Sequence, residues 1–374
     1  MLIILDESLV TELEHAAGGS NAVLSALSIC AQAAIEGTHI LFADRAVYKR
    51  LRAFHDQLGR RTAAILLRSE DRLPQLGKIR DFVERAIRVA VIPEPGLPHR
   101  VQNGQRTELV LPVGLIEQNS SLIAAPALIV ENLNDGLCFK KIVESVVVSG
   151  VLPDLSWLHV VPVRAKIEQG GGNTIGPLFA HLKAEGKQVG LAIADSDVRY
   201  PGGSHGITAA GLVKEANTLP ESPLLEHHIL GVRTIENCIP RAVIRSIAVD
   251  LDPVQVYRFD RQTAVFARSH FWHILPIKAG VKCFEVDGAS AESKFWTALL
   301  GGRTCKVGAQ CQTKKECSEY KMPPVSDKIL AQSAAMPGHF SITQQCTDGM
   351  LDLWRGLVIL LYSFFCGGER VTAF

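Results

Sequence analysis

The chain has 374 residues, 47% of them hydrophobic and 21% charged, so it can build large apolar cores and wholesale disorder is excluded. At about 150 residues per domain, that length suggests two or three domains. Lys and Arg number 39 against 38 Asp and Glu, a formal net charge of +1, which excludes a histone-like polycation and an acidic-tail protein but leaves a local nucleic-acid patch open.

Residues 1–124 read as an N-terminal β/α unit. Short apolar runs at Leu2–Leu5, His39–Phe42, Ala63–Leu67 and Val89–Ile92 suit strands. Between them, Glu7–Ala17, Asn21–Glu36, Ala46–Leu58 and Gln75–Ile87 have apolar spacing suited to helices. The alternation predicts a mainly parallel sheet covered by helices. Val101–Val113 reads as a hairpin turning at Asn103-Gly104.

A second alternating unit spans residues 125–240. Its expected strands are Pro126–Val130, His159–Val163, Val189–Ala194 and His228–Val232. Its expected helices are Gly136–Ser149, Thr174–Glu185 and Ile207–Asn217. From 241 to 374 the pattern is mainly helical, with one further strand expected at Trp272–Pro276 and a last helix over about Gly349–Phe365. The apolar run inside that helix, GLVILLYSFFC, is too short to span a bilayer, which needs about 20 apolar residues, and no membrane partner is expected.

Nine cysteines, an odd number and mostly far apart, point to a reducing, cytoplasmic setting. The opening stretch has no basic residue before its apolar run, so no signal peptide is expected. Cys305, Cys311 and Cys317 are spaced by five intervening residues, whereas zinc sites usually pair cysteines two to four apart. A zinc site there, with Cys283, His339 or Cys346 as a fourth ligand, is therefore weighed against free thiols, and free thiols are preferred. His227 and His228 read as strand residues, and His270 and His273 as partly buried neighbours of Phe271-Trp272.

The informative pattern is acidic. Glu131 ends one expected strand, Asp195 and Asp197 end another, and Glu236 follows a third. In a parallel sheet those carboxyl ends open onto one crevice, where open α/β sheets bind ligands. Carboxylates gathered there repel one another unless a cation joins them, and Mg²⁺ or Mn²⁺, one or two ions, suits hard oxygen ligands and phosphate substrates.

Ile129-Val130-Glu131-Asn132 and Ile193-Ala194-Asp195-Ser196-Asp197 resemble the Glu and D-x-D motifs of the TOPRIM family, the catalytic module of topoisomerases, primases and OLD-family nucleases. The pattern is most similar to TOPRIM nucleases of bacterial anti-phage systems, which share an Asp four residues after the Glu (Asp135), a glycine-rich loop (Gly170, Gly171, Gly172) and a later Glu-Asn pair (Glu236-Asn237). The resemblance covers about a third of the chain. Many family members have glycine where this chain has Asn132.

The resemblance implies an α/β, TOPRIM-like (Rossmann-like) central sheet and a metal-dependent endonuclease acting on DNA or RNA. Glu131 would be a metal ligand or general base, Asp195 and Asp197 would hold Mg²⁺, and Glu236 would complete a second metal position. Asp135 would orient water, and Lys278 or Lys282 would stabilise the leaving phosphate. Gly170–Gly172 would let backbone approach a phosphate. A defence effector must stay silent until infection, so an ATPase or sensor partner is implied, and a homo-oligomer is compatible. Arg45, Lys49, Arg50 and Arg52 lie in the most basic stretch and are candidate nucleic-acid contacts. The alternative is a non-catalytic nucleic-acid-binding or sensor subunit with a degenerate site. A topoisomerase-like activity ranks lower, because none of the five tyrosines sits in an identifiable nucleophile motif.

Overall fold

The computed structural model describes residues 1–16, 20–93, 96–171, 174–218, 222–269, 271–286, 288–302, 317–342 and 350–371. The chain begins β1 (Leu2–Leu5), α1 (Glu7–His15), α2 (Asn21–Ile35), β2 (Ile40–Phe42), α3 (Arg45–Leu51), α4 (His55–Asp71), α5 (Leu73–Phe82), β3 (Arg85–Ala90), β4 (His99–Asn103), β5 (Arg106–Pro112) and α6 (Val113–Gln118). It continues β6 (Ala127–Val130), α7 (Leu133–Ser149), β7 (Lys166–Gln169), α8 (Ile175–Glu185), β8 (Gly190–Ala194), α9 (Ile207–Thr218) and β9 (Leu225–Ile229). The remainder is mainly helical: α10 (Arg241–Leu251), α11 (Pro253–Ser269), β10 (Val281–Lys282), α12 (Ala291–Leu300), β11 (Tyr320–Met322), α13 (Ile329–Ala335) and α14 (Leu351–Phe365).

The protein is mixed α/β with two main sheets. The first has strand order β2-β1-β3-β5-β4, parallel except for β4, which returns from β5 as a hairpin. The second has order β7-β6-β8-β9 and is parallel throughout. Strands such as LIIL and ALIV are apolar without alternation because helices cover both faces of a parallel sheet. In the second sheet Ala127, Ile129, Ala192 and Ala194 pack against α8 and α9 through Ile175, Phe179 and Leu212. The alternate residues Leu128, Val130, Leu191 and Ile193 join a larger core with Phe139, Ile142 and Val146 of α7.

That larger core also takes in Leu2, Ile4, Ile40 and Phe42 from the first sheet. Helix α14 sits within it, burying Trp354, Leu357, Val358, Leu361, Phe364 and Phe365. The end of α14 and the chain after it tie both units: Arg164 N–H donates to Phe365 O at 2.7 Å, Gly367 N–H to Pro162 O at 2.8 Å and Val371 N–H to Ile35 O at 2.9 Å. Among the described residues no helix is long and apolar enough to cross a membrane.

Several expected elements differ. Ala63–Leu67 is not a strand but the middle of α4, whose buried positions Thr62, Ile65, Leu66 and Ser69 follow helical spacing after a kink at Gly59. A short apolar run cannot by itself separate strand from helix. His159–Val163 is not a strand either. Residues Pro153–Val160 form a 3₁₀ helix, and the strand is the polar KIEQ of β7. β7 is a sheet edge and so needs no apolar run. The strand expected at His228–Val232 lies three residues earlier, with Gly190 opposite Leu225. Trp272–Ile274 is a 3₁₀ turn.

Candidate metal and phosphate site

Strand β6 continues to β7 on one side, and the chain then crosses back to place β8 on the other. α7 covers one face, and α8 and α9 cover the opposite face. The direction of winding therefore reverses between β6 and β8, and the crevice of a doubly wound sheet lies outside the carboxyl ends at that point. Glu131 follows β6 there, and Asp195 follows β8.

Glu131 is held by its backbone, whose carbonyl accepts the Gly171 N–H at 2.8 Å. Its Oε1 is buried and has no hydrogen-bond partner. Next to it, Asn132 N-caps α7, and Asp135 accepts the Asn132 N–H at 2.9 Å, completing a capping box. Asn132 has φ −134, extended backbone open to any residue, so the family's glycine is not needed for this geometry. Asp135 therefore spends one oxygen on the helix cap.

The D-x-D segment turns sharply. Asp197 has φ +53, the left-handed region that Asp tolerates better than most residues. Its N–H donates to Arg233 O at 2.8 Å, and Ser196 Oγ donates to Val232 O at 2.7 Å. Gly206 closes over the turn. A Cβ there would stand 2.4 Å from Asp197 Cβ, so only glycine fits without moving the acid. Asp195 accepts the Ile235 N–H at 2.9 Å through Oδ1. One residue on, Glu236 is 1% exposed, with Oε1 3.6 Å from Lys278 Nζ and Oε2 buried without a partner. Asn237 anchors this turn, donating to Trp272 O at 2.7 Å and Leu275 O at 3.0 Å.

The electrostatics follow from this crowding. Burial first, then Asp135 and Asp197, push the Glu131 carboxyl up to about 7, with Lys278 opposing. Burial pushes Asp135 up to about 6. Asp195 is raised well above the usual carboxylate range by burial and then by Glu236, Glu131, Asp135 and Asp197. The reciprocal effect holds the Lys278 ammonium above its ordinary value, chiefly through Glu236. The site thus brings Glu131, Asp135, Asp195, Asp197, Glu236 and Lys278 into one electrostatic unit. Its carboxylates outnumber its cations.

Among the described residues no three His, Cys, Asp or Glu side chains are grouped so as to hold a metal ion. The oxygen-only donors, the two orphaned oxygens and the excess of negative charge nevertheless fit a hard divalent cation. Carboxylates that repel one another spread apart until a cation draws them in.

Other expected site residues are placed differently. Lys282 lies 5.8 Å from the centre of the Tyr320 ring. The N–H groups of Gly170 and Gly171 are spent on Val130 O and Glu131 O, both at 2.8 Å, and are not open to a phosphate. Gly170 is required for packing, because a Cβ would stand 2.6 Å from Ile175 Cα. Gly172 lies outside the described residues. Arg50 pairs with Glu7 and Glu14, each at 2.6 Å, and Arg52 with Glu70 at 2.7 Å, so half of the expected basic face is neutralised; Arg45 and Lys49 are exposed. Of the zinc candidates, Cys305, Cys311 and Cys346 lie outside the described residues, and Cys317 packs beside Cys283 under Phe284. His339 and His273 are exposed, and His227 and His228 lie in β9; His270 lies outside the described residues.

Sequence reasoning did not find that Arg233, three residues before Glu236, holds the Asp197 turn by accepting the Asp197 N–H at 2.8 Å. Compared with protein-family models, curated proteins and solved structures, the chain matches none, so its chemistry has to be read from this cluster of side chains.

Proposed function

We propose that the protein is a Mg²⁺- or Mn²⁺-dependent TOPRIM nuclease that hydrolyses phosphodiester bonds of DNA or RNA. The observation that carries this reading is the set Glu131, Asp195, Asp197 and Glu236 at the carboxyl ends of β6, β8 and β9, with Lys278 beside them. When bound, one or two divalent ions would activate water and neutralise charge on the phosphorus oxygens. Asp195, Asp197, Glu236 and Glu131 would hold those ions. Alternatively, Glu131 would leave the ions to the other three acids and accept a proton from the attacking water as general base. Lys278 would offer its ammonium to the leaving oxygen, and Asp135 fixes the start of α7 so that Glu131 stays in place.

In this reading the chain is the toxic effector of a bacterial anti-phage system, silenced by an ATPase or sensor partner until infection. The grouping of the acids short of metal-holding geometry favours, as a second reading, a regulatory subunit with a degenerate site. Two measurements separate the readings. Purified protein is incubated with plasmid, single-stranded DNA and tRNA in Mg²⁺, Mn²⁺ or EDTA, beside Glu131→Gln and Asp195→Asn. Mg²⁺ binding is followed by calorimetry. The nuclease reading expects cleavage that EDTA and both substitutions abolish. Equal cleavage by both variants would sink it, and an absence of Mg²⁺ binding that depends on Asp195 and Asp197 would leave the degenerate reading.

A further inference from the structure

Lys278 is the cation of the acidic site, yet it comes from none of the strands that carry the acids. It ends a strip, residues 272–278, that follows α11. Hydrogen bonds running both ways lay this strip against the turn that bears Glu236. Asn237 Nδ2 donates to Trp272 O at 2.7 Å and to Leu275 O at 3.0 Å, and the Trp272 indole N–H returns a bond to Asn237 O at 2.8 Å. The Arg233 N–H also reaches His273 O at 2.6 Å. Of these bonds, the one to Leu275 is nearest to Lys278 along the chain. The other end of the Asn237 amide serves the turn itself. Its Oδ1 accepts the Thr234 N–H at 3.1 Å and the Thr234 hydroxyl at 3.0 Å, which closes the turn whose Ile235 N–H holds Asp195 Oδ1 at 2.9 Å. Asn237 is fully buried, and a buried amide with both its nitrogen and its oxygen engaged fixes the backbone on its two sides.

We infer that Asn237 is a positioning residue that keeps Lys278 beside Glu236, joining a cation from the C-terminal region to the acids of the second sheet. One side of its amide is one residue from Glu236 and the other is three residues from Lys278, and the Lys278 ammonium stands 3.6 Å from Glu236 Oε1. The Lys278 side chain is half-exposed, whereas Glu236 is buried. A lysine on a flexible four-carbon stem gives up rotamer freedom to hold one carboxylate, so the pair depends on where residue 278 leaves the backbone. Asn237 sets that point. The inference rests on the nuclease reading only for what Lys278 would do there, which is to offer its ammonium to a phosphate.

The test uses the full chain in EDTA. Urea unfolding is measured for Lys278→Met, Glu236→Gln and the two together, in wild type and in three backgrounds: Asn237→Ala, Asn237→Ser and Trp354→Phe. Serine is too short to bond both Trp272 O and Leu275 O but keeps an oxygen near Thr234. Trp354→Phe controls for general weakening, since it removes an indole bond of 2.8 Å to Cys238 O, made to the same turn but from α14. Each background should lower the unfolding midpoint. The coupling between Glu236 and Lys278 should fall to about half or less in both Asn237 backgrounds and keep its wild-type size in Trp354→Phe. Wild-type coupling in the Asn237 backgrounds would overturn the proposal. So would an equal loss in Trp354→Phe, an absence of coupling in wild type, or failure of both Asn237 variants to fold, which would mark a purely structural role. Cleavage in Mg²⁺ is assayed in parallel. Coupling that depends on Asn237 in a chain that cleaves nothing would keep the positioning role and reject the nuclease; cleavage by wild type with Asn237-independent coupling would do the reverse.

Discussion

The most direct consequence of the crowded acids is that the metal-free protein should gain stability when one of them is neutralised. Glu131→Gln is the cleanest change. It preserves shape, and it replaces a carboxylate whose Oε1 accepts no hydrogen bond. The Glu131 carboxyl sits at about 7 in the folded chain instead of the ordinary 4.5. Below 4.5 both states hold the proton and the full stabilising effect is present. As pH rises from there to about 7, the unfolded chain ionises first, so stability is lost. A shift of that size is worth about 3 kcal/mol at full strength, and partial solvent exposure reduces it to about 1–2 kcal/mol. Urea denaturation in EDTA should therefore show Glu131→Gln more stable than wild type by about 1–2 kcal/mol at pH 8, with the advantage gone near pH 4. Saturating Mg²⁺ should stabilise wild type by about 2–3 kcal/mol at roughly a hundred times its dissociation constant, and the variant by less. A variant less stable than wild type at pH 8 in EDTA, or wild-type stability flat between pH 4 and 8, would refute the reasoning.

Lys278→Met leaves the buried Glu236 without its cation and should cost about 1–3 kcal/mol; in a double-mutant cycle, adding Glu236→Gln should return most of that loss, as read by denaturant midpoints. Gly170→Ala places a methyl group 2.6 Å from Ile175 Cα and should cost about 1–3 kcal/mol through forced backbone shifts, with Mg²⁺ affinity falling as the Glu131 carbonyl loses its partner. Arg50→Ala with Arg52→Ala removes cations already matched by Glu7, Glu14 and Glu70 and should change oligonucleotide affinity by less than about twofold, since surface pairs carry little net energy; a tenfold loss across a salt series would restore the α3 face as a nucleic-acid surface.

Three of the central parallel strands were legible because burial on both faces leaves continuous apolar runs: Leu2–Leu5, Ala127–Val130 and Gly190–Ala194 stand where they are expected, whereas β3 (Arg85–Ala90) begins four residues before the expected Val89–Ile92, inside a stretch expected to be helical. The acids were legible for a related reason. A carboxylate directly after such a run has a defined place, the crevice end of its strand. Edges were not legible. β7 reads KIEQ, which carries no apolar signal, and the α4 residues Ala63–Leu67 mimic a strand because helix and strand cores use the same side chains over five residues. Long-range partners were invisible too. Nothing local says that Asn237 reaches Trp272 and Leu275, or that the glycine amides of 170 and 171 face the carbonyls of Val130 and Glu131.

The two units treat buried charge in opposite ways, and the contrast bears on what the second is for. In the first, the fully buried Glu108 is met by Arg88, by Arg106 at 2.9 Å and by Asn103 at 3.1 Å, and Arg88 also holds Asp6 at 2.8 Å. Each acid in that network has donors, and Asp6 falls below the usual carboxylate range, drawn down by Ser8 and Arg88 against its burial. In the second, Glu131, Asp135 and Asp195 are all raised, and two buried oxygens have no donor. A chain able to satisfy a buried carboxylate with two arginines and an amide in one sheet has not done so at the other sheet's crevice. Buried polar groups left unpaired cost about 1–3 kcal/mol each, and at this crevice the unpaired buried atoms are carboxylate oxygens of Glu131 and Glu236. A divalent cation would answer both.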